Sequence, residues 1–166
     1  MTIEDSILYL RKQFPKISPR ATYDTDSRGE DFCEIFLQND KNLSLPISIK
    51  INAEGCFLSV GRMLNVMGSK PISVEVCASA IRDVVEDRII FVFGYKTEED
   101  FENSKATFHR FFALTGREDD MSEEYEKFLL HLSKKPSWFE KKFGGMTGIF
   151  EILSFNQTEP KFIKRF

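Results

Sequence analysis

No apolar run in this chain approaches the roughly 20 residues that a membrane-spanning helix needs; the longest block extends only from Ile89 to Phe93. The opening MTIEDSILYL carries acids where a secretory leader would carry basic residues, so a cytoplasmic protein without a membrane partner is expected. Three cysteines, Cys33, Cys56 and Cys77, form no CxxC and leave at least one unpaired, which fits a reducing compartment. His109 and His131 are the only histidines, and neither has a second His or Cys three or four residues away. No metal site and no cofactor are therefore expected. With a net charge of −3 the chain lacks a basic footprint, and nucleic acid is excluded as a partner. One Trp and four Tyr stand against seventeen Phe, a balance that favours a ring-filled core over a carbohydrate or base-stacking platform. There is no internal repeat, no low-complexity segment and no linker able to separate two domains.

What is present is a chain of 166 residues, 42% hydrophobic and 30% charged, long enough for a single domain over 1–166 with a sizeable core. Its organising stretch is Leu43 to Met67. Leu43, Leu45, Ile47, Ile49 and Ile51 alternate with Ser44, Pro46, Ser48, Lys50 and Asn52, the period of a strand with one buried side. Asn52-Ala53-Glu54-Gly55 supplies a hairpin loop. A hairpin alone buries too little to stand in water. The expectation is an α+β fold: an antiparallel sheet with hairpin Leu43–Met67 at its centre, covered by helices mainly on one face.

Ile3 to Phe14 has the spacing of an amphipathic helix stopped by Pro15, with Thr2 as cap and Glu4 and Asp5 in its first turn. A weaker strand signal over Arg20–Thr25, the run Asp31–Gln38 and the hairpin together make an antiparallel meander with tight turns. From Ser73 a helix register runs through Val74, Cys77, Ala78, Ile81, Val84 and Val85, whereas the rival strand register breaks at Ile81-Arg82. Arg88–Tyr95 is an uninterrupted apolar run, the mark of a central strand buried on both faces. Thr97 and the acids after it start a helix. Phe101, Phe108, Phe111 and Phe112 share its stripe, with Gly116 placed as a cap, and a strand over Lys105–Leu114 is the alternative. Ser122 caps a helix carrying Tyr125, Phe128, Leu129 and Leu132; Pro136 breaks it, Ser137 starts a short helix, and Gly148–Phe155 is the last strand. The tail ending FIKRF frays unless it docks.

Candidate chemistry is thin. The glycines of Gly144–Gly148 follow a helix and precede a strand, the reverse of a phosphate cradle. Acid pairs at Glu98/Glu99/Asp100, Asp119/Asp120 and Glu123/Glu124 fall at helix starts or turns, where backbone N–H groups and water stabilise them without desolvation. The charge is unevenly spread, however. Acids dominate from Thr97 to Glu126, and bases from Lys127 to the end through Lys134, Lys135, Lys141, Lys142, Lys161, Lys164 and Arg165. An acidic face of this kind steers a basic partner.

A small acidic α+β chain without a catalytic signature resembles, in overall character, the bacterial toxin-immunity proteins of contact-dependent growth inhibition and related polymorphic toxin systems. The resemblance implies no enzymatic activity and tight binding, as a monomer, to one cognate toxin with a basic surface, often a nuclease. It also implies a gene directly after the toxin's. Glu118, Asp119, Asp120, Glu123 and Glu124 would take the place of the phosphates that the toxin binds, with Trp138 as an aromatic anchor if exposed. Secretion chaperones that hold effector segments are a second resemblance, which the helices after Gly116 fit poorly. A third possibility is an enzyme with a diffuse site built from Asp24, Asp26, Glu30, Asp31 and a histidine.

Overall fold

The computed structural model describes residues 1–18, 20–37, 45–113, 121–143 and 145–166, with side chains at all of these except 121, 122, 139 and 143. The chain is α+β and forms two compact units, Met1–Val85 and Glu86–Phe166. Each holds its own four-stranded antiparallel sheet, where one was expected from the sequence.

In the first unit, helix α1 (Ile3–Gln13) starts on the capping box expected at Thr2. The Thr2 hydroxyl accepts from the Asp5 N–H at 3.1 Å, and the Asp5 carboxylate accepts from the Thr2 N–H at 3.2 Å. Strands β1 (Thr22–Thr25), β2 (Asp31–Leu37), β3 (Ile47–Asn52) and β4 (Gly55–Val60) follow, then helix α2 (Val74–Val85). The strands pair in chain order, the meander that the turns predict. The alternation at the hairpin holds: Leu45, Ile47, Ile49 and Ile51 have no exposed surface, while Leu43 lies outside the described residues. The hairpin itself is displaced from the middle, because β4 is an outer strand and β2 and β3 are the inner pair. Cys33, Ile35 and Leu37 on β2 and Cys56, Leu58 and Val60 on β4 complete the buried face, over which α1 and α2 pack.

The second unit comprises β5 (Ile89–Tyr95), α3 (Glu98–Glu102), β6 (Phe108–Ala113), α4 (Met121–Ser133), α5 (Trp138–Phe143), β7 (Gly148–Leu153) and β8 (Lys161–Arg165). Its sheet order is β6-β5-β7-β8, so the apolar run at β5 is an inner strand as expected. The phenylalanine stripe divides. Thr97 caps α3 with Asp100 in a second capping box, but the helix ends at Glu102. Phe108–Ala113 then returns as a strand, with Phe108 opposite Gly94. A Cβ at Gly94 would stand 3.1 Å from both the Phe108 Cβ and the Phe150 ring, so the bare backbone admits both rings. The C-terminal residues do dock: β8 pairs along β7 from Lys161 to Arg165. Helix α4 begins at Met121, one residue ahead of Ser122.

Cross-strand register assigns the two faces of this sheet. Val92, Phe108, Phe112, Phe150 and Ile152 share one face and meet Phe128 and Leu132 of α4. Tyr95, Ile149 and Phe162 share the other, where the Phe101 ring of α3 stands edge-on to Tyr95 at 5.1 Å and to Phe162 at 5.5 Å. Helices on one face therefore describe the first unit, and helices on both faces the second.

Candidate functional site

The acidic segment expected to meet a partner is only partly within view. Glu118, Asp119 and Asp120 lie outside the described residues, as does Gly116. Glu123 and Glu124 occupy the first turn of α4 and are exposed. Each carries a cation. Lys127, one helical turn on, reaches Glu123 at 2.6 Å, and Arg110 of β6 donates to Glu124 at 2.6 Å. The Lys127 ammonium holds the Glu123 carboxyl below its ordinary range, first by hydrogen bonding and then by charge. Glu98 is lowered in the same way by Lys164 at 2.9 Å. Exposed pairs of this sort leave both partners hydrated and exchangeable.

The basic half supplies a feature that the acidic half lacks. Trp138, the only tryptophan of the chain, opens α5 with 69% of its surface exposed. The Lys142 ammonium sits 4.7 Å from the centre of its ring. Lys134, Lys135 and Lys141 are exposed on the same stretch of chain, and Leu130 on α4 is exposed as well.

Behind α5 lies an arrangement not anticipated from the sequence. Ser137 and Glu140 form a capping box, with the Ser137 N–H donating to Glu140 Oε2 at 2.8 Å and the Glu140 N–H to Ser137 Oγ at 3.2 Å. Glu140 Oε1 also receives Arg165 Nη2 at 2.9 Å and His131 Nε2 at 3.1 Å. The Ser137 backbone, the Arg165 guanidinium and the Ser137 hydroxyl together bring the Glu140 carboxyl down to about 2. Arg165 is 3% exposed and spends its other donors on the Lys134 and Met146 carbonyls. The last strand is thereby tied to the α4–α5 connection. The one available signal was an arginine inside an otherwise alternating FIKRF. Glu151 was also missed. It stands buried on β7 and accepts from the Tyr95 hydroxyl at 2.7 Å; a single acid in GIFEILSF was its only trace.

For acid–base work a carboxyl has to be held near neutrality. Among the described residues every carboxyl with a resolved shift moves down instead, at Asp5, Asp26, Glu75, Glu98, Glu123 and Glu140. The carboxylates near Asp26 serve the β1–β2 turn. Asp26 Oδ1 accepts from the Arg28 and Glu30 N–H groups, which lower it, and Asp31 accepts from the Thr25 hydroxyl. Both histidines belong to the second unit, so the structure does not gather them with these acids inside one unit. His109 is exposed on β6 and His131 is 44% exposed. Among the described residues no group of three or more His, Cys, Asp or Glu is placed to hold a metal ion, and no helix is long and apolar enough to cross a membrane.

A hollow of about 370 Å³ in the second unit is lined by Glu98, Phe101, Glu102, Ile149, Phe162 and Lys164. Its charged groups are the Glu98–Lys164 pair on its rim and Glu102, and its floor is apolar. No family model matches the chain, and no match appears among curated proteins or solved structures.

Proposed function

We propose that this chain is a non-catalytic protein-binding module, in particular an immunity protein that binds and neutralises a cognate toxin. The observation that carries the proposal is Trp138. A tryptophan gains much by burial, and here the one available to the chain stands in solvent at the head of α5, beside a lysine that shields one ring face. Exposed aromatics of this kind are the residues that anchor protein interfaces. The acids from Glu118 to Glu124, with Glu126, supply the charge that attracts a basic surface and takes the place of phosphate on it. The downward-shifted carboxyls support binding over proton transfer, since they remain ionised at neutral pH.

The test uses the reading frame immediately upstream of this one. Its product is expressed alone and together with this chain, and growth is followed. Expected is arrest by the upstream product alone and recovery with the chain present. Purified Trp138→Ala is expected to bind that product at least tenfold more weakly than the native chain does. A harmless upstream product, or arrest that the chain does not relieve, overturns the immunity reading.

A further inference from the structure

The second unit keeps acids and bases at opposite ends of α4, and the two groups are treated differently. Glu123 and Glu124 in the first turn carry Lys127 and Arg110. Past the last turn, residues 134–142 hold four lysines, Lys134, Lys135, Lys141 and Lys142, and one acid, Glu140. All four lysines are exposed. Glu140 is turned onto Arg165 and His131, and among the described residues no carboxylate meets Lys134, Lys135 or Lys141. The two charge groups stand roughly 15 Å apart along the helix, beyond the distance of about 8 Å over which physiological salt screens charge. The lysines therefore act as a positive field of their own on a chain whose net charge is −3.

Helix α5 sorts its side chains to match. Trp138, Lys141 and Lys142 are spaced i, i+3 and i+4 and so share one face, where the Lys142 ammonium lies 4.7 Å from the ring centre. Glu140, at i+2, points to the other side, and through Arg165 it ties the helix to β8. Arg165 also donates to the Lys134 carbonyl at 3.0 Å, so the lysine pair before Pro136 is fixed beside the same helix. We propose that this face of the second unit, Trp138 with Lys134, Lys135, Lys141 and Lys142 around it, docks on the surface of an anionic lipid bilayer.

The side-chain types select this partner. A tryptophan ring, with an apolar body and one N–H donor, suits the headgroup level of a bilayer. Lysine stems lie along apolar surface while their ammonium groups reach lipid phosphate, and a cluster of about four or more on one surface holds a chain to anionic lipid. Protein interfaces are instead depleted in lysine and enriched in arginine, and nucleic acids favour the arginine fork. Here the arginine of the neighbourhood, Arg165, is 3% exposed and spent on Glu140 and carbonyl oxygens. A peripheral contact needs neither a leader nor a spanning helix, the two features behind the expectation of no membrane partner. The proposal goes beyond the immunity reading and does not rest on it: the ring meets a bilayer or a toxin, not both at once.

Trp138 is the only tryptophan of the chain, so tryptophan fluorescence reports this contact alone. The full chain is titrated with vesicles of phosphatidylcholine, and with vesicles of equal parts phosphatidylcholine and phosphatidylglycerol, at low and high salt. Expected with the anionic vesicles at low salt are emission at shorter wavelength, protection from acrylamide and co-sedimentation, all lost at high salt. Lys141→Glu combined with Lys142→Glu is expected to weaken sedimentation by about tenfold or more, with an unchanged circular dichroism spectrum. Trp138→Ala is expected to sediment less than the native chain at equal lipid. Emission that does not move overturns the proposal, as does an equal response to the neutral vesicles. Tighter binding to polyglutamate or to an oligonucleotide, at equal concentration of charge, overturns the choice of lipid. No toxin is present in this test, so its failure leaves the immunity reading standing, and failure of the growth test leaves this proposal standing.

Discussion

The two units of this chain are built from similar kits, four antiparallel strands with helices against them, yet they are filled with different material. Among the described residues the buried core of Met1–Val85 contains no aromatic ring: it is Ile, Leu, Val and Ala with one Met and all three cysteines. The buried core of Glu86–Phe166 holds Phe91, Phe93, Tyr95, Phe112, Phe128, Phe150 and Phe155. The aliphatic unit follows period 2 with little deviation, and β-branched side chains there fill a face over which both helices pack. The aromatic unit mixes in polar groups that rings alone cannot satisfy, the Tyr95–Glu151 pair and Arg165 among carbonyl oxygens. A core of rings leaves angular gaps; here the rings pack edge-on or tilted around Phe128 at 5.1 to 6.3 Å, apart from a stacked pair with Phe108. Large rings thus let a small sheet carry helices on both faces, at the cost of making single ring positions decisive.

That contrast can be broken at its widest point. Phe128 touches Phe108, Phe112 and Phe150, so Phe128→Ala removes the ring on which three others lean. The expected loss is about 4 kcal/mol. Ile49→Val, in the middle of β3 and without exposed surface, removes one methylene from an even aliphatic layer and is expected to cost about 1 kcal/mol. Amide exchange separates the two, with β5–β7 opening in the first variant and β2–β3 in the second. Equal losses, or exchange spread evenly over both units in Phe128→Ala, would remove the distinction between the cores.

The same difference explains what could be read from the residues alone. The meander, its hairpin loop, the Thr2 and Thr97 caps and the central place of β5 were legible because each is a local pattern with one physical outcome. The end of α3 was not. Phe108, Phe111 and Phe112 satisfy a helix stripe and a strand equally, and the strand is seen only in their pairing with β5, another segment, where Phe108 lies opposite Gly94. The second sheet escaped for a similar reason, since period and turn residues mark strands but not which of them pair across long intervals. At the candidate surface, the acids at 118–124 were visible as a run, whereas the cations that meet Glu123 and Glu124 depend on the helix turn and on β6. Trp138 could be placed at a helix start from Pro136 and Ser137; its exposure is a tertiary property.

A smaller effect separates the units by pH. Glu140 is held at about 2 in the folded chain against an ordinary value of 4.5. A carboxyl depressed on folding contributes its full stability above the ordinary value and loses it as pH falls towards the folded one. The difference in melting temperature between the native chain and Glu140→Gln is therefore expected to be constant above about pH 5 and to close between 4.5 and about 2. Exchange of β8 amides should report the loss first, because Glu140 holds Arg165. A gap that persists unchanged to pH 2 would mean that the Glu140 charge does not secure the last strand.

The smallest change in stability is expected where the proposed function is most sensitive. Trp138 and Phe128 are aromatics ten positions apart on consecutive helices, one 69% exposed and the other 7%. Phe128 is held by three rings from two strands, whereas the contact seen at Trp138 is the Lys142 ammonium, an exposed cation–π pair. Trp138→Ala should therefore shift unfolding by no more than ~0.5 kcal/mol, as surface substitutions do. An anchor residue behaves in the opposite way on the partner, where truncation costs about 2 kcal/mol or more. The discriminating measurement is both quantities on one variant, unfolding by denaturant and binding by calorimetry against the upstream gene product. Lost stability with unchanged binding would make Trp138 a structural residue of the second unit. Unchanged stability with weakened binding is what an interface ring predicts, and salt should then alter the association rate through the acids of α4 without restoring the lost affinity.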